Sequence, residues 1–166
     1  MSPISAPRIQ KTNAMRELDR AGVSYTARTY EVDESDLSGI HVVEQLGEDP
    51  DRVFKTLVTV APTGGHAVFC IPVKEKLDLK RAARAVGEKS LSMLHVRDLV
   101  KTTGYQRGGC SPVGMRKRFA TVIDETCILF DTIMVSGGRR GLQLEVAVDD
   151  LLAACDAKVA DICERA

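Results

Sequence analysis

A single lysine, Lys55, interrupts the run Val53-Phe54-Lys55-Thr56-Leu57-Val58-Thr59-Val60, which is otherwise apolar or β-branched. A run of this length and composition predicts a strand buried on both faces. An ammonium placed there loses hydration and its pKa falls unless an anion or strong acceptor lies beside it, so the group is paired, reaches the strand end, or is held for a ligand. A second unusual stretch is residues 102–114, with four glycines and one proline in thirteen positions. That composition forbids regular structure and frees backbone N–H groups to converge on an oxygen or an anion. Ordering such a loop costs conformational entropy that a function can justify. Together with the hydroxyls of Thr56, Ser111 and Ser136, the lysine and the loop suit electrostatic stabilisation of a carbonyl or phosphate oxygen better than covalent catalysis.

Other chemistries lack their residues. His41, His66 and His95 are scattered and none has metal-ligand spacing, so no metal is expected, and no cofactor motif is present. There is no G-x-S-x-G elbow, and Gly109-Cys110-Ser111-Pro112 is not followed by the Gly-Lys-Ser/Thr of a phosphate-binding P-loop. Cys110 has no positioned base, which argues against a thiol nucleophile. Five cysteines, an odd number without a C-x-x-C, read as reduced and mostly buried thiols. Twenty-three basic residues balance twenty-three acidic ones, so no global field draws in long nucleic acid or an anionic membrane. No eighteen apolar residues run together and the first ten show no leader pattern, so a cytoplasmic protein without a membrane partner is expected.

The elements that must position these groups can be placed in order. Residues 1–10, with Pro3 and Pro7, read as a loose arm, and residues 11–166 as one domain. Thr12 or Asn13 caps a helix that stops at Gly22, and residues 23–30 form a first strand. After an acidic loop at 31–36, Ser38 caps a short helix ending at Gly47, and Asp49-Pro50 makes one tight turn into the lysine strand. The turn Pro62-Thr63-Gly64-Gly65 returns the chain as a strand over 66–73, and Asp78 caps a helix bearing Leu79, Ala82, Ala83 and Val86 on one face. A short strand near 90–94 and a helical turn lead to the glycine loop. A strand at 120–123, a hairpin of 132–136 with 142–146, and a helix from 149 to 155 complete the pattern. About seven strands among four or five short helices predict a mixed α/β sheet. Basic patches at Lys80, Arg81 and Arg84, at residues 116–118, and at Arg139 and Arg140 are candidates for phosphate contact.

Five motifs, in order, carry a resemblance. They are Lys11-Thr12-Asn13-Ala14; Phe54-Lys55-Thr56-Leu57-Val58; Leu77-Asp78-Leu79-Lys80; Thr103-Gly104-Tyr105 with Gly108-Gly109-Cys110-Ser111-Pro112-Val113-Gly114; and Val135-Ser136-Gly137-Gly138-Arg139-Arg140-Gly141-Leu142. From Lys11 to Ile162 the chain resembles the YbaK/EbsC family, within the group of prolyl-tRNA-synthetase-associated editing domains. The resemblance implies a compact α/β fold whose twisted mixed sheet curls into a partial barrel, and deacylation of Cys-tRNA(Pro), a mischarging product of prolyl-tRNA synthetase. It implies that Lys55 is the family's essential lysine, acting at the aminoacyl ester, and that Tyr30, Thr56, Gly108 and Ser136 line the same pocket. It also implies that the substrate cysteine's own thiol attacks its ester carbonyl, releasing a thiolactone and free tRNA without a protein nucleophile. Lys55, Gly108 and Gly109 then supply orientation and oxyanion donors, with Ser111 and Gln143 also assigned to substrate binding. Gln143 stands where at least one member of the family carries aspartate, which removes a charged role there.

The expected partners are the acceptor end of mischarged tRNA(Pro) and, transiently, prolyl-tRNA synthetase, with the chain acting as a monomer. Three other readings compete. Deacylation of Ala-tRNA(Pro) requires an activated water and a base that the sequence does not identify. A non-catalytic module would use Lys55 and the glycine loop as an anion site for tRNA or a synthetase. A small-nucleotide enzyme would be protected by free nucleotide against thermal unfolding.

Overall fold

The computed structural model describes residues 10–165. The expected arm at 1–10 lies outside them except for Gln10, which is exposed and whose carbonyl accepts a hydrogen bond from Arg139 Nη1 at 2.8 Å. The elements follow in the order α1 (Asn13–Arg20), β1 (Tyr25–Thr29), α2 (Gly39–Leu46), β2 (Phe54–Val60), β3 (His66–Pro72), α3 (Leu79–Ala85), β4 (Ser92–Met93), α4 (Val96–Thr103), β5 (Ala120–Asp124), β6 (Thr132–Ser136), β7 (Leu142–Ala147), α5 (Val148–Cys155) and β8 (Lys158–Ala160).

Short polar side chains start the helices where the sequence placed them. The Thr12 hydroxyl accepts from the Met15 N–H, Ser38 from that of His41, and Asp78 from those of Lys80 and Arg81. Asp49 caps a 3-10 turn at Pro50–Arg52, which aims the chain into β2. Helix α2 stops at Gly47, whose φ of 63° is the left-handed conformation that a glycine adopts without strain.

Two sheets result. Five strands pair in the order β4-β2-β3-β5-β8, with β3/β5 and β5/β8 parallel and the rest antiparallel, so the sheet is mixed. Three strands pair antiparallel in the order β1-β7-β6. An isolated parallel bridge, Val53 to Met134, joins the two where β2 begins. The largest core cluster fills the space between the sheets with Leu18, Phe54, Ile123, Leu144 and Leu151. A second packs Phe69, Ile71, Val122 and Ile162 against Ala82 and Ala83 of α3, a third sets Val58 and Val68 against Tyr105 and Cys110, and a fourth seats α2 on Val53, Val73 and Met134.

Three details differ from the sequence reading. The strands divide between two sheets, and the described residues hold eight of them. β8, only three residues long and mostly exposed, has no alternation to reveal it. β2 is not buried on both faces throughout: Phe54, Val58 and Thr59 are buried, but Lys55, Thr56 and Leu57 are partly open. That opening borders a cleft. All five cysteines are free and buried.

Candidate active site

β2 is covered on one side by the bridge at Val53 and on the same edge by β4 only from Thr59 onward. Between those points Phe54–Leu57 borders a cleft of about 340 Å³. Leu37–Ile40 at the start of α2 form one wall, Arg107, Gly108 and Cys110 of the glycine loop a second, and Ser136 with Gln143 the floor. Ser136 ends β6 and faces Gln143 directly across the β6/β7 ladder. No aspartate, glutamate or histidine lines the cleft among the described residues.

Lys55 is partly buried and takes no hydrogen bond from or to a described side chain. Its pKa is held below the ordinary lysine value, first by desolvation, with a smaller push from Lys76 and partial opposition from Cys163 and Glu75. Of the three fates open to a strand lysine, pairing is therefore the one the fold does not use. The Ser136 hydroxyl accepts from the Gly138 N–H at 3.2 Å, which leaves its own proton free to donate. Thr56 Oγ1 lies 3.7 Å from Cys70 Sγ. Gly108 has φ 82°, and its N–H donates to no described residue.

Gln143 is 6 % exposed, and its Oε1 is fully buried without a hydrogen-bond partner. Cys110 reaches the cleft, yet burial pushes its thiol up to about 12, so it remains protonated and a poor nucleophile at neutral pH.

Five of the sequence-predicted site residues therefore meet in one cleft: Lys55, Thr56, Gly108, Ser136 and Gln143. Tyr30 lines a small adjoining recess with Asp33, Asp36 and His41, which shares Leu37, Val42 and Gly108 with the cleft. Two residues are placed elsewhere. The Gly109 N–H is spent in a turn to Gln106 O at 3.0 Å, and Gly109 packs on the backbone of Arg139 and Arg140, where a Cβ would sit 2.9 Å away. Ser111 is fully buried and its Oγ accepts from the Val113 N–H. Both shape the loop rather than line the cleft.

Sequence reasoning missed the wall from Leu37 to Ile40. Its one signal is Gly39, where a Cβ would overlap the Val73 side chain, so only glycine lets α2 close on Val73, the residue after β3. It also assigned no role to Arg107, whose carbonyl accepts from Arg140 Nε at 2.9 Å and whose position lines the cleft. Of the basic patches, Arg81 is tied to Asp161 and Asp78, and Arg140 and Arg139 hold Arg107 and Gln10.

Residues 39–154 match the family model for the aminoacyl-tRNA editing domain. The chain belongs to that family. The editing domain is also 45 % identical over 153 residues to EbsC of Enterococcus faecalis, a protein named provisionally as a Cys-tRNA(Pro)/Cys-tRNA(Cys) deacylase, with 92 % of this chain and 93 % of that one covered. A crystal structure described, again provisionally, as a trans-editing enzyme for prolyl tRNA synthetase superposes with TM-score 0.78 at 25 % identity, covering 92 % of the editing domain's chain and 96 % of its own. A hypothetical protein of known crystal structure shares the fold at TM-score 0.83 and 22 % identity, over 92 % of this chain and all of that one. The resemblance to the YbaK/EbsC group and the α/β class is thereby borne out, and the chain is an aminoacyl-tRNA deacylase by family.

Proposed function

We propose that this editing domain acts in trans on Cys-tRNA(Pro), and that the cysteinyl thiol is the nucleophile. The observation that carries the reading is what the cleft contains and what it lacks. Uncommitted donors, namely Lys55, the Gly108 N–H and the Ser136 hydroxyl, surround it, and no carboxylate, histidine or ionised thiol lines it. Such a cleft can bind an ester and stabilise the oxyanion that forms from its carbonyl, but it has no lining base for activating water.

The substrate thiol removes that need. Sulfur attacks the ester carbonyl, the C–O bond to the ribose breaks, the thiol proton ends on the ribose oxygen, and the products are the thiolactone of cysteine and deacylated tRNA. The cleft contributes orientation, since an intramolecular attack gains from a fixed near-attack geometry, and charge stabilisation from Lys55. Tyr30 lines the adjoining recess beside α2, outside the cleft that takes the ester. The chain works as a monomer in the cytoplasm, holds only the acceptor end, and leaves the tRNA body to prolyl-tRNA synthetase in a transient complex. The balanced charge of the chain agrees with so small a footprint.

The test is discharge of Cys-tRNA(Pro) beside Ala-tRNA(Pro), with the released amino-acid product identified. Selective loss of the cysteinyl ester with thiolactone release is the expected result. Equal loss of both esters, with free amino acids released, would mean attack by water and would refute the thiol mechanism.

A further inference from the structure

We infer that Gln143 is the specificity-determining acceptor for the α-amino group of the esterified amino acid, an inference that rests on the reading of the cleft as an aminoacyl-ester site. The polar side chains lining the cleft are Ser38, Lys55, Thr56, Arg107, Ser136 and Gln143. Lysine and arginine are donors only. The Ser38 hydroxyl oxygen already accepts from the His41 N–H, the Ser136 oxygen from the Gly138 N–H, and Thr56 Oγ1 contacts Cys70 Sγ. Gln143 alone among these carries a side-chain oxygen with no protein contact of this kind, and it does so while 94 % buried, since its exposure is 6 %.

A buried amide oxygen without a partner costs about 1–3 kcal/mol, so a fold retains one where a ligand completes it. An aminoacyl ester brings two kinds of polar group into the cleft. Its ester carbonyl needs donors, which Lys55, Gly108 and Ser136 supply. Its α-amino group needs an acceptor, and no carboxylate lines the cleft to serve. The carboxamide of Gln143 makes no hydrogen bond to a described residue at either end. A half-turn about its terminal torsion, which is broad and two-fold, therefore brings Oε1 to the cleft without breaking a protein bond.

Position supports the same assignment. Gln143 lies across the ladder from Ser136, so its carboxamide and the Ser136 hydroxyl are neighbours at the floor of the cleft. The α-carbon of an aminoacyl ester separates its amino nitrogen from its carbonyl by one bond on each side. One neighbouring donor and one neighbouring acceptor match that spacing. An acyl group without the amine leaves Oε1 buried and unpaired, which is how a polar site rejects an analogue lacking the polar group.

The experiment compares Cys-tRNA(Pro) with 3-mercaptopropionyl-tRNA(Pro), which keeps the thiol and the ester but lacks the amine. The enzymes are wild type, Gln143→Met and Gln143→Glu, each first shown to be folded by its thermal transition, and uncatalysed discharge is subtracted. The readout is the ratio of kcat/KM for the two esters. Wild type should favour the cysteinyl ester by roughly two- to tenfold more than Gln143→Met does, the range expected for one net hydrogen bond. Gln143→Glu, whose carboxylate presents two acceptor oxygens in place of the amide's one and has no N–H donor, should keep or enlarge the wild-type preference. An identical ratio in wild type and Gln143→Met overturns the inference. So does loss of the preference in Gln143→Glu, which would show that the amide donates instead. If wild type discharges the thiol-bearing esters no faster than buffer does, the reading of the cleft fails first and this inference with it.

Discussion

Glu145 and Gln143 stand two residues apart on the same face of β7, and the fold treats them in opposite ways. Around Glu145 every charge has a partner. Arg52 lies 3.5 Å from Glu145 and 3.4 Å from Glu48, Arg28 lies 2.8 Å from Glu48, and Thr132 donates to Glu145 at 3.0 Å. Around Gln143 two groups stay unpaired among the described residues: its own side-chain oxygen has no partner, and Lys55 makes neither an ion pair nor a hydrogen bond. Both clusters are partly buried and both use the β6/β7 ladder as their floor, so burial does not separate them. Satisfaction does. A closed network ties α2, the 3-10 turn at Pro50–Arg52 and the three-stranded sheet together, whereas the open one leaves polar groups that a ligand in the proposed site would complete.

The sharpest way to break this contrast is Lys55→Met. On the proposed mechanism the Lys55 charge faces the developing oxyanion, and removing it should lower kcat/KM for Cys-tRNA(Pro) by a factor on the order of 10² to 10³. The same change should raise thermal stability at pH 7. The sign follows from linkage: the folded-state pKa of Lys55 is depressed below the ordinary value of 10.5, so the unfolded chain binds its proton more tightly. Its ionisation therefore penalises folding in full below the depressed pKa, and the penalty is relieved as pH rises toward 10.5. The Tm advantage of the variant over wild type should shrink across that window. A variant that is both less stable and still active would place Lys55 among the structural charges.

Glu48→Ala tests the other region. It removes one of the two carboxylates that Arg28 and Arg52 share, its side chain 16 % exposed, leaves only Glu145 between them, and should cost about 1–3 kcal/mol of stability. Urea unfolding gives that number directly. Ester discharge by the folded fraction should stay within about threefold of wild type, a bound that follows from a defect confined to stability. A large loss of turnover in a fully folded sample would show that the closed network also sets the geometry of the open one.

The two regions were unequally legible in the sequence. Lys55 announced itself because an ammonium within a β-branched run has so few explanations, and the structure places it unpaired at the edge of a cleft. Gln143 became meaningful only through the resemblance, since no local pattern says that residue 143 pairs with residue 136 or that its amide stays unbonded. Gly109 and Ser111 were misplaced for a related reason. Composition shows that a glycine or a serine has a free donor in principle, but whether the Gly109 N–H is consumed by Gln106 O depends on the path of the turn. The wall from Leu37 to Ile40 was illegible because it depends on how α2 docks on Val73, a contact between elements. Caps and turns were read well because each is decided within four residues.

Gly109→Ala probes that correction, with a smaller expected effect. A Cβ there meets the Arg139 and Arg140 backbone at 2.9 Å, so the loop or the hairpin tip must shift, at a cost of about 1–2 kcal/mol for overpacking. Because Gly108 is its neighbour and lines the cleft, kcat should fall further than stability alone explains. If Gly109 instead supplied a donor to the substrate, the backbone N–H would survive the substitution and activity would follow stability closely. The comparison of kcat with the urea midpoint separates the two.

The smallest effect should come from Cys110→Ala. Cys110 touches the cleft, carries the most nucleophilic atom near it, and follows the glycines of the loop, so on composition it competes with the substrate thiol for the attacking role. Its surroundings deny it that role: the thiol is 7 % exposed and is pushed up to about 12 by desolvation, which leaves a negligible thiolate fraction at pH 7. Turnover of Cys-tRNA(Pro) should stay within about threefold of wild type, the change reflecting only a lost packing contact with Val58 and Tyr105. Iodoacetamide at pH 7 should leave the wild-type rate unchanged over the assay. A loss approaching that of Lys55→Met, or a covalent acyl adduct on Cys110 in rapid-quench mass spectrometry, would mean that sulfur from the protein attacks the ester. The open cluster would then hold a nucleophile, and the substrate's thiol would no longer be needed to explain a cleft without a base.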